Sequence, residues 1–241
     1  MIRRASFLEI WHRLSGSPAR RWPPPVGHVR LGDLESTMPV SLDFGFDRGL
    51  PIDRYYIEGF LERHALDIGG SVLEVDDDQY SRRFGSSRVT QQHVLDINPA
   101  NVRATIIGDL TKTGVLPPNA YDCIILTQVL QLFFDLQPAI MNLRTALRPG
   151  GTLLLTVPGI SQIDRGGARE TWCWSFTRSS IVKLFSAQFN SDELEVAANG
   201  NVFAAVAFLH GLALAEVDRS KLDVFDEAYP LILTLRARKS T

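Results

Sequence analysis

The sequence predicts an α/β protein whose sheet is mostly parallel and covered by helices on both faces. Three observations carry this. From about residue 50 onward, short runs rich in Val, Ile and Leu alternate with longer amphipathic segments. The runs at 72–75, 121–126 and 152–157 are almost continuously apolar, as strands buried on both sides are. Asp76 closes the first of these runs and Pro158 the last, and the alternation implies right-handed crossovers between parallel strands.

The elements follow in order. One short helix is expected near residues 5–14, before Pro23-Pro24-Pro25 ends any helix. Asp53 can cap a helix running to about His64, because Ile57, Phe60, Leu61 and Ala65 share one face. Gly69-Gly70 breaks it and a strand at 71–75 follows. Further strands are expected at 88–95, at 104–107 (ending in Gly108-Asp109) and at 121–126. Asp135 and Pro138 mark a helix start, with Ile140, Leu143 and Leu147 on its buried side. That helix stops at Arg148-Pro149-Gly150-Gly151, before the strand at 152–157. Thr177 can cap a helix that turns Ile181, Leu184 and Phe185 inward. An apolar helix at 202–214 and a terminal strand at 231–238 complete the chain.

With 241 residues, 45% of them hydrophobic and 22% charged, the chain has material for one large domain and a full core. We divide it into a basic, proline-broken extension at 1–40 and an α/β domain at 41–241. The first 30 residues carry Arg3, Arg4, Arg13, Arg20, Arg21 and Arg30 against Glu9 alone. This arm is either a contact for an acidic partner or membrane surface, or a solvated tail. The net charge of −2 argues against general nucleic-acid binding. No run reaches the roughly 18 apolar residues of a membrane span. Glu9, His12 and Arg13 interrupt the signal-like start, so a retained, cytoplasmic chain is expected. Cys123 and Cys173 lack metal-ligand spacing and are too few for a disulfide scaffold. No metal is expected.

In parallel sheets of this kind ligands bind beyond the C-terminal strand ends, so the turns there hold the candidate residues. Val72-Leu73-Glu74-Val75 is followed by Asp76-Asp77-Asp78-Gln79-Tyr80; further on come Gly108-Asp109-Leu110, then Tyr121-Asp122-Cys123-Ile124-Ile125-Leu126-Thr127-Gln128, then Leu147-Arg148-Pro149-Gly150-Gly151. In this order and spacing, over residues 50–238, the chain resembles class I S-adenosylmethionine-dependent methyltransferases, especially the small-molecule type labelled methyltransferase type 11. The resemblance implies a Rossmann-like, doubly wound sheet of seven strands and S-adenosyl-L-methionine as cofactor. It places Glu74 near the methionine ammonium group, His93 at the position that serves the ribose (with Asp96 the nearest acid), Asp109 at the adenine amino group and Leu110 on the ring. Thr127 and Gln128 would line the turn beneath the transferred methyl group. A tyrosine of the pair Tyr55-Tyr56 would meet the cofactor carboxylate or the substrate, or pack in the core.

Two departures stand out. The glycine-rich turn of the family aligns with Asp76, Asp78 and Tyr80, so all three glycines are replaced where backbone and ligand must approach closely. His93 stands where the family carries an acid, and a neutral imidazole accepts only one hydrogen bond. The triplet has two other readings. Asp residues at a helix start stabilise its dipole. In metal-dependent glycosyltransferases a D-x-D pattern after a strand holds a divalent cation.

The long connection at 158–176 is the expected substrate loop, with Gly166-Gly167 as hinge, Asp164, Arg165 and Arg169 as charges and Trp172 and Trp174 as aromatics. His93, Asp164 and His210 are candidate bases, His210 alternatively closing its helix. The expected activity is methyl transfer to oxygen or nitrogen of a small molecule or glycan precursor. The alternatives are a methyltransferase-like binding or scaffold protein that no longer catalyses, and a metal-dependent glycosyltransferase.

Overall fold

The computed structural model describes residues 23–241. The helix expected near 5–14 and most of the basic arm therefore lie outside the described residues. Those described fall in two units, 23–37 and 38–241. The first holds a turn closed by His28 N–H on the Pro25 carbonyl (3.0 Å) and a 3₁₀ turn at Gly32–Glu35.

The second unit is a Rossmann-like α/β sandwich. Its seven strands are β1 (Gly70–Val75), β2 (Val89–Asp96), β3 (Ile106–Ile107), β4 (Tyr121–Thr127), β5 (Leu147–Pro158), β6 (Leu194–Asn199) and β7 (Ile232–Arg238). They lie in the order β3-β2-β1-β4-β5-β7-β6. Strands β1 to β5 pair in parallel, while β7 runs antiparallel to both of its neighbours. Four α-helices cover the sheet: α1 (Ile52–Arg63), α2 (Leu136–Ala146), α3 (Arg178–Phe185) and α4 (Val202–Leu209).

Side chains of a strand alternate between faces, so a continuous apolar run feeds two cores at once. Ile124 and Leu126 of β4, with Leu153 and Leu155 of β5, pack under α2 and α3 against Ile140, Leu143, Ile181 and Phe185. Cys123, Ile125 and Leu154 point the other way, toward Ile57, Leu61, Ala204 and Phe208 of α1 and α4. The layer order α1/α4, sheet, α2/α3 is thus written in the odd and even positions of β4 and β5.

Local chemistry sets most boundaries. Thr177 caps α3 by accepting the Ser180 N–H at 3.1 Å, and Ser180 answers on the Thr177 N–H at 3.0 Å. Asp53 does not cap α1. Pro51 holds that position and Asp53 is buried in the first turn. Gly70 enters β1 at φ +67°, and a Cβ there would lie 2.3 Å from Oδ2 of Asp122. That oxygen accepts the Ser71 N–H at 2.8 Å and so ties β1 to β4. Gly151 sits in the irregular start of β5, where a Cβ would meet the Tyr121 carbonyl at 2.9 Å.

The strands and helices expected from about residue 50 onward are present with shifted ends. β3 shrinks to two residues at the sheet edge. β6 was not foreseen, because Glu195, Ala197 and Ala198 give it a weak apolar pattern. The helix expected at 202–214 stops at Leu209, where Gly211 turns at φ +69°. His210 closes that helix, its carbonyl accepting from Val40 at 2.8 Å and Ser41 at 3.1 Å. Among the described residues no helix is long and apolar enough to cross a membrane. Both cysteines are free, Cys123 buried and Cys173 exposed.

Candidate functional site

Strand order reverses between β1 and β4, and a cleft of about 790 Å³ opens beyond the C-terminal strand ends there. A switch point of this kind leaves a crevice because the crossovers on its two sides leave in opposite directions.

The floor begins at the end of β1. The Glu74 carboxylate accepts the N–H of Tyr80 (3.1 Å), the N–H of Ser81 (2.9 Å) and the Ser81 hydroxyl (2.6 Å). It thereby pins the turn at 76–80 to the strand. Burial pushes this carboxyl up to about 7, against the pull of those three hydrogen bonds.

The turn keeps a left-handed backbone without glycine. Asp76 adopts φ +77°, a region where Asp is tolerated better than most residues. Its N–H donates to the Leu95 carbonyl (3.0 Å) and its carbonyl accepts from Asn101 Nδ2 (2.7 Å). The same Asn101 amide reaches Oδ2 of Asp96 at 2.6 Å, so the turns after β1 and β2 are stitched together.

The three aspartates diverge. Asp76 is exposed at the cleft, its carboxyl raised by partial burial and by the neighbouring Asp77 and Asp96. Asp77 also lines the cleft and folds onto Gln79, accepting its backbone N–H at 3.0 Å. Asp78 turns away, 8% exposed, and pairs with Arg82 at 2.5 Å. Among the described residues no group of three or more His, Cys, Asp or Glu could hold a metal ion. Of the triplet, Asp76 and Asp77 line the cleft, while Asp78, the second acid of the D-x-D pattern, is committed to Arg82.

The other walls come from neighbouring strand ends. β2 contributes Leu95, Asp96 and Ile97. Gly108, Asp109, Leu110 and Thr111 follow β3. Asp109 accepts both the N–H (2.8 Å) and the hydroxyl (2.7 Å) of Thr111, and these two bonds hold its carboxyl low. After β4, Thr127 leads into Gln128 at φ +55°, fixed by its N–H on the Thr156 carbonyl at 2.9 Å. Val129, Leu132, Phe133, Phe134 and Asp135 continue that wall. Arg54 reaches in from α1, only loosely paired with Asp53 at 3.4 Å and lying 5.4 Å from the centre of the Phe46 ring.

Of the residues selected from sequence, Glu74, Asp76, Tyr80, Asp109, Leu110, Thr127 and Gln128 line this cleft. The others do not, each for a stated reason. Asp78 is committed to Arg82. His93 lies three residues short of the end of β2 and packs edge-on against Tyr121 at 5.5 Å. The strand ends at Asp96, which lines the cleft. Tyr56 is buried and donates to the Leu222 carbonyl at 2.9 Å, a core role. Asp164 is used inside its own loop, accepting from Gly166 and Ala168, both at 3.0 Å. Arg165 is exposed outside the cleft, and Trp172 does not line it. Trp174 borders it indirectly, stacked on Phe134 with centroids 6.0 Å apart and donating its indole N–H to the Phe133 carbonyl at 2.9 Å. None of the three candidate bases, His93, Asp164 or His210, lines the cleft.

Sequence reasoning missed Arg54, Asp77, Phe133, Phe134, Asp135 and Thr171. Asp135 had a signal, but one that reads equally as a helix start.

Seven strands in the order β3-β2-β1-β4-β5-β7-β6, with β7 antiparallel, form the Rossmann-like fold seen in class I methyltransferases. Residues 58–155 match the family model described as a methyltransferase domain, and that segment carries β1, β4 and the turns that build the cleft. Solved structures agree on the fold. An S-adenosylmethionine-dependent methyltransferase from Mesorhizobium loti superposes with a TM-score of 0.53 at 17% identity, over 76% of this chain and 100% of that one. The N-methyltransferase NodS from Bradyrhizobium japonicum gives 0.50 at 16%, over 81% and 99%. The [4+2]-cyclase SpnF gives 0.52 at 18%, over 78% and 81%. Comparison with curated proteins finds no match.

Proposed function

We propose that the cleft binds S-adenosyl-L-methionine and that the chain transfers its methyl group to oxygen or nitrogen of a small molecule or glycan precursor. One observation carries this reading. Although all three family glycines are gone, the cleft stays open at about 790 Å³, because Asp78 turns away and Asp77 folds onto its own turn.

The residues present suit the cofactor's charges. Asp76 and Asp77 would face its ammonium and sulfonium groups, with Glu74 bracing the turn beneath them. Arg54 is the one cation among the described lining residues and would take the methionine carboxylate. Asp96, in place of His93, would accept from the ribose hydroxyls, a task suited to two carboxylate oxygens. Asp109 would serve the adenine amino group and Leu110 the ring. Bound there, the cofactor supplies an electrophilic methyl group; the chain aligns the acceptor and excludes water. Residues 41–241 would hold all of this machinery, with 1–40 as an extension.

A second reading, a binding subunit that no longer catalyses, draws on the left-handed Asp76 that replaces a glycine. Calorimetry with S-adenosylmethionine and S-adenosylhomocysteine decides. Micromolar binding, weakened about tenfold or more by Arg54→Ala and by Asp96→Asn, is expected. A folded protein that binds neither compound at millimolar concentration would remove the methyltransferase activity and leave the fold.

A further inference from the structure

The wall of the cleft farthest along the chain from the turn at 76–80 has a chemistry of its own. Leu132, Phe133, Phe134 and Asp135, which follow β4, meet Thr171 of the loop after β5. Backbone bonds hold the two segments together, Cys173 N–H on the Gln131 carbonyl at 2.9 Å and the Trp174 indole on Phe133 at 2.9 Å. Between these bonded segments Phe134 is 78% exposed and stacks on Trp174, itself 38% exposed. A solvent-facing aromatic pair is unfavourable in an empty surface and useful against a ligand.

Asp135 occupies the N-cap position of α2, where an Asp side chain ordinarily accepts a backbone N–H. Here it makes no capping bond, forms no ion pair among the described residues, and faces the cleft instead. The cleft as a whole is lined by Glu74, Asp76, Asp77, Asp96, Asp109 and Asp135, against Arg54 alone. An anionic acceptor would meet repulsion from this set with no second cation to receive it.

We propose that the methyl acceptor is a small amine on an apolar or aromatic body. Asp135 accepts hydrogen bonds from its ammonium group, and Phe133 and Phe134 cover its apolar part and face its charge. The nitrogen gives up one proton to solvent before its lone pair takes the methyl group, and the C–S bond that breaks releases S-adenosylhomocysteine. Carboxylate beside exposed aromatic faces is the combination that selects ammonium over neutral and anionic groups. The inference rests on the methyltransferase reading for what is done to the amine, but amine recognition stands on the residues of this wall.

The test keeps the two apart. The protein is first titrated with S-adenosylhomocysteine. It is then titrated, with and without that compound, with 2-phenylethylamine, 2-phenylethanol and phenylacetate, following the Trp174 indole N–H resonance, assigned by its loss in Trp174→Phe. The amine is expected to bind about tenfold tighter than the alcohol and tighter still than the acid. Asp135→Asn should abolish the amine's advantage and leave the alcohol unchanged. Phe134→Ala should weaken both the amine and the alcohol. Equal or tighter binding of the acid or the alcohol overturns the inference, as does an amine preference that survives Asp135→Asn. Absence of S-adenosylhomocysteine binding, with the amine preference intact, would remove the cofactor reading and the acceptor role with it, and keep amine recognition by this wall.

Discussion

Glu74 shows how one buried carboxyl can serve both fold and site. Its three hydrogen bonds hold the turn at 76–80 in place, yet burial raises it to about 7 from an ordinary 4.5. Between those two values the folded state binds more protons than the unfolded one, so the contribution of Glu74 to stability is complete below about 4.5 and is lost as pH rises through about 7. Urea unfolding of the native chain and Glu74→Gln should therefore diverge with pH, the variant gaining on the order of 3 kcal/mol relative to the native chain between pH 4.5 and 8. A constant difference would show that the carboxyl is not buried in this way. Asp76 poses the complementary question of backbone geometry. At φ +77° it already occupies the conformation that glycine adopts freely. Asp76→Gly should leave stability within about 0.5 kcal/mol, whereas Asp76→Ala should cost about 1 kcal/mol, as thermal unfolding can check.

Three helices begin with a residue typed for capping, and two use it; at the start of α4 Asn201 accepts the Ala204 N–H at 3.0 Å. Thr177 closes a reciprocal box with Ser180 at the start of α3. Asp135 stands at the same position of α2 and caps nothing. Thermal denaturation should then separate them: Thr177→Ala costs about 1 kcal/mol, while Asp135→Ala costs no more than about 0.5 kcal/mol, the residual dipole contribution. Equal losses would mean that Asp135 caps after all. The distinction was beyond the sequence because a capping residue and a site residue look alike until the side chain has a direction. β6 was hidden for a related reason. Its apolar positions are few, and it becomes a strand by pairing with β7 at the sheet edge. The end of β2 shows the same limit. Spacing within the family pattern points to His93, while the ladder with β3 carries β2 to Asp96, which lines the cleft.

At the scale of the molecule, the members of the two hydrophobic layers among the described residues all come from residue 44 onward. Removing residues 1–37 is accordingly expected to move the melting temperature by less than about 4 °C and to leave S-adenosylhomocysteine affinity unchanged by calorimetry. A large loss of either would place the extension inside the working domain. What the sequence determined by itself is the layer plan and half of the site. Continuous apolar strands such as β4 have to be covered on both sides, and acids at strand ends such as Glu74, Asp76 and Asp109 have to face the switch-point crevice, because strand periodicity and crossover handedness leave no alternative. What only the tertiary structure decided is which of several equivalent side chains reach that crevice. Asp77 and Asp78 are neighbours of the same type, yet one lines the cleft and the other pairs with Arg82. Arg54 lies far in sequence from Phe134 and Asp135, and they line one cleft only because α1 and the turn after β4 border it from different sides. Direction and distance in space, set by packing, carry no local signal in residue order.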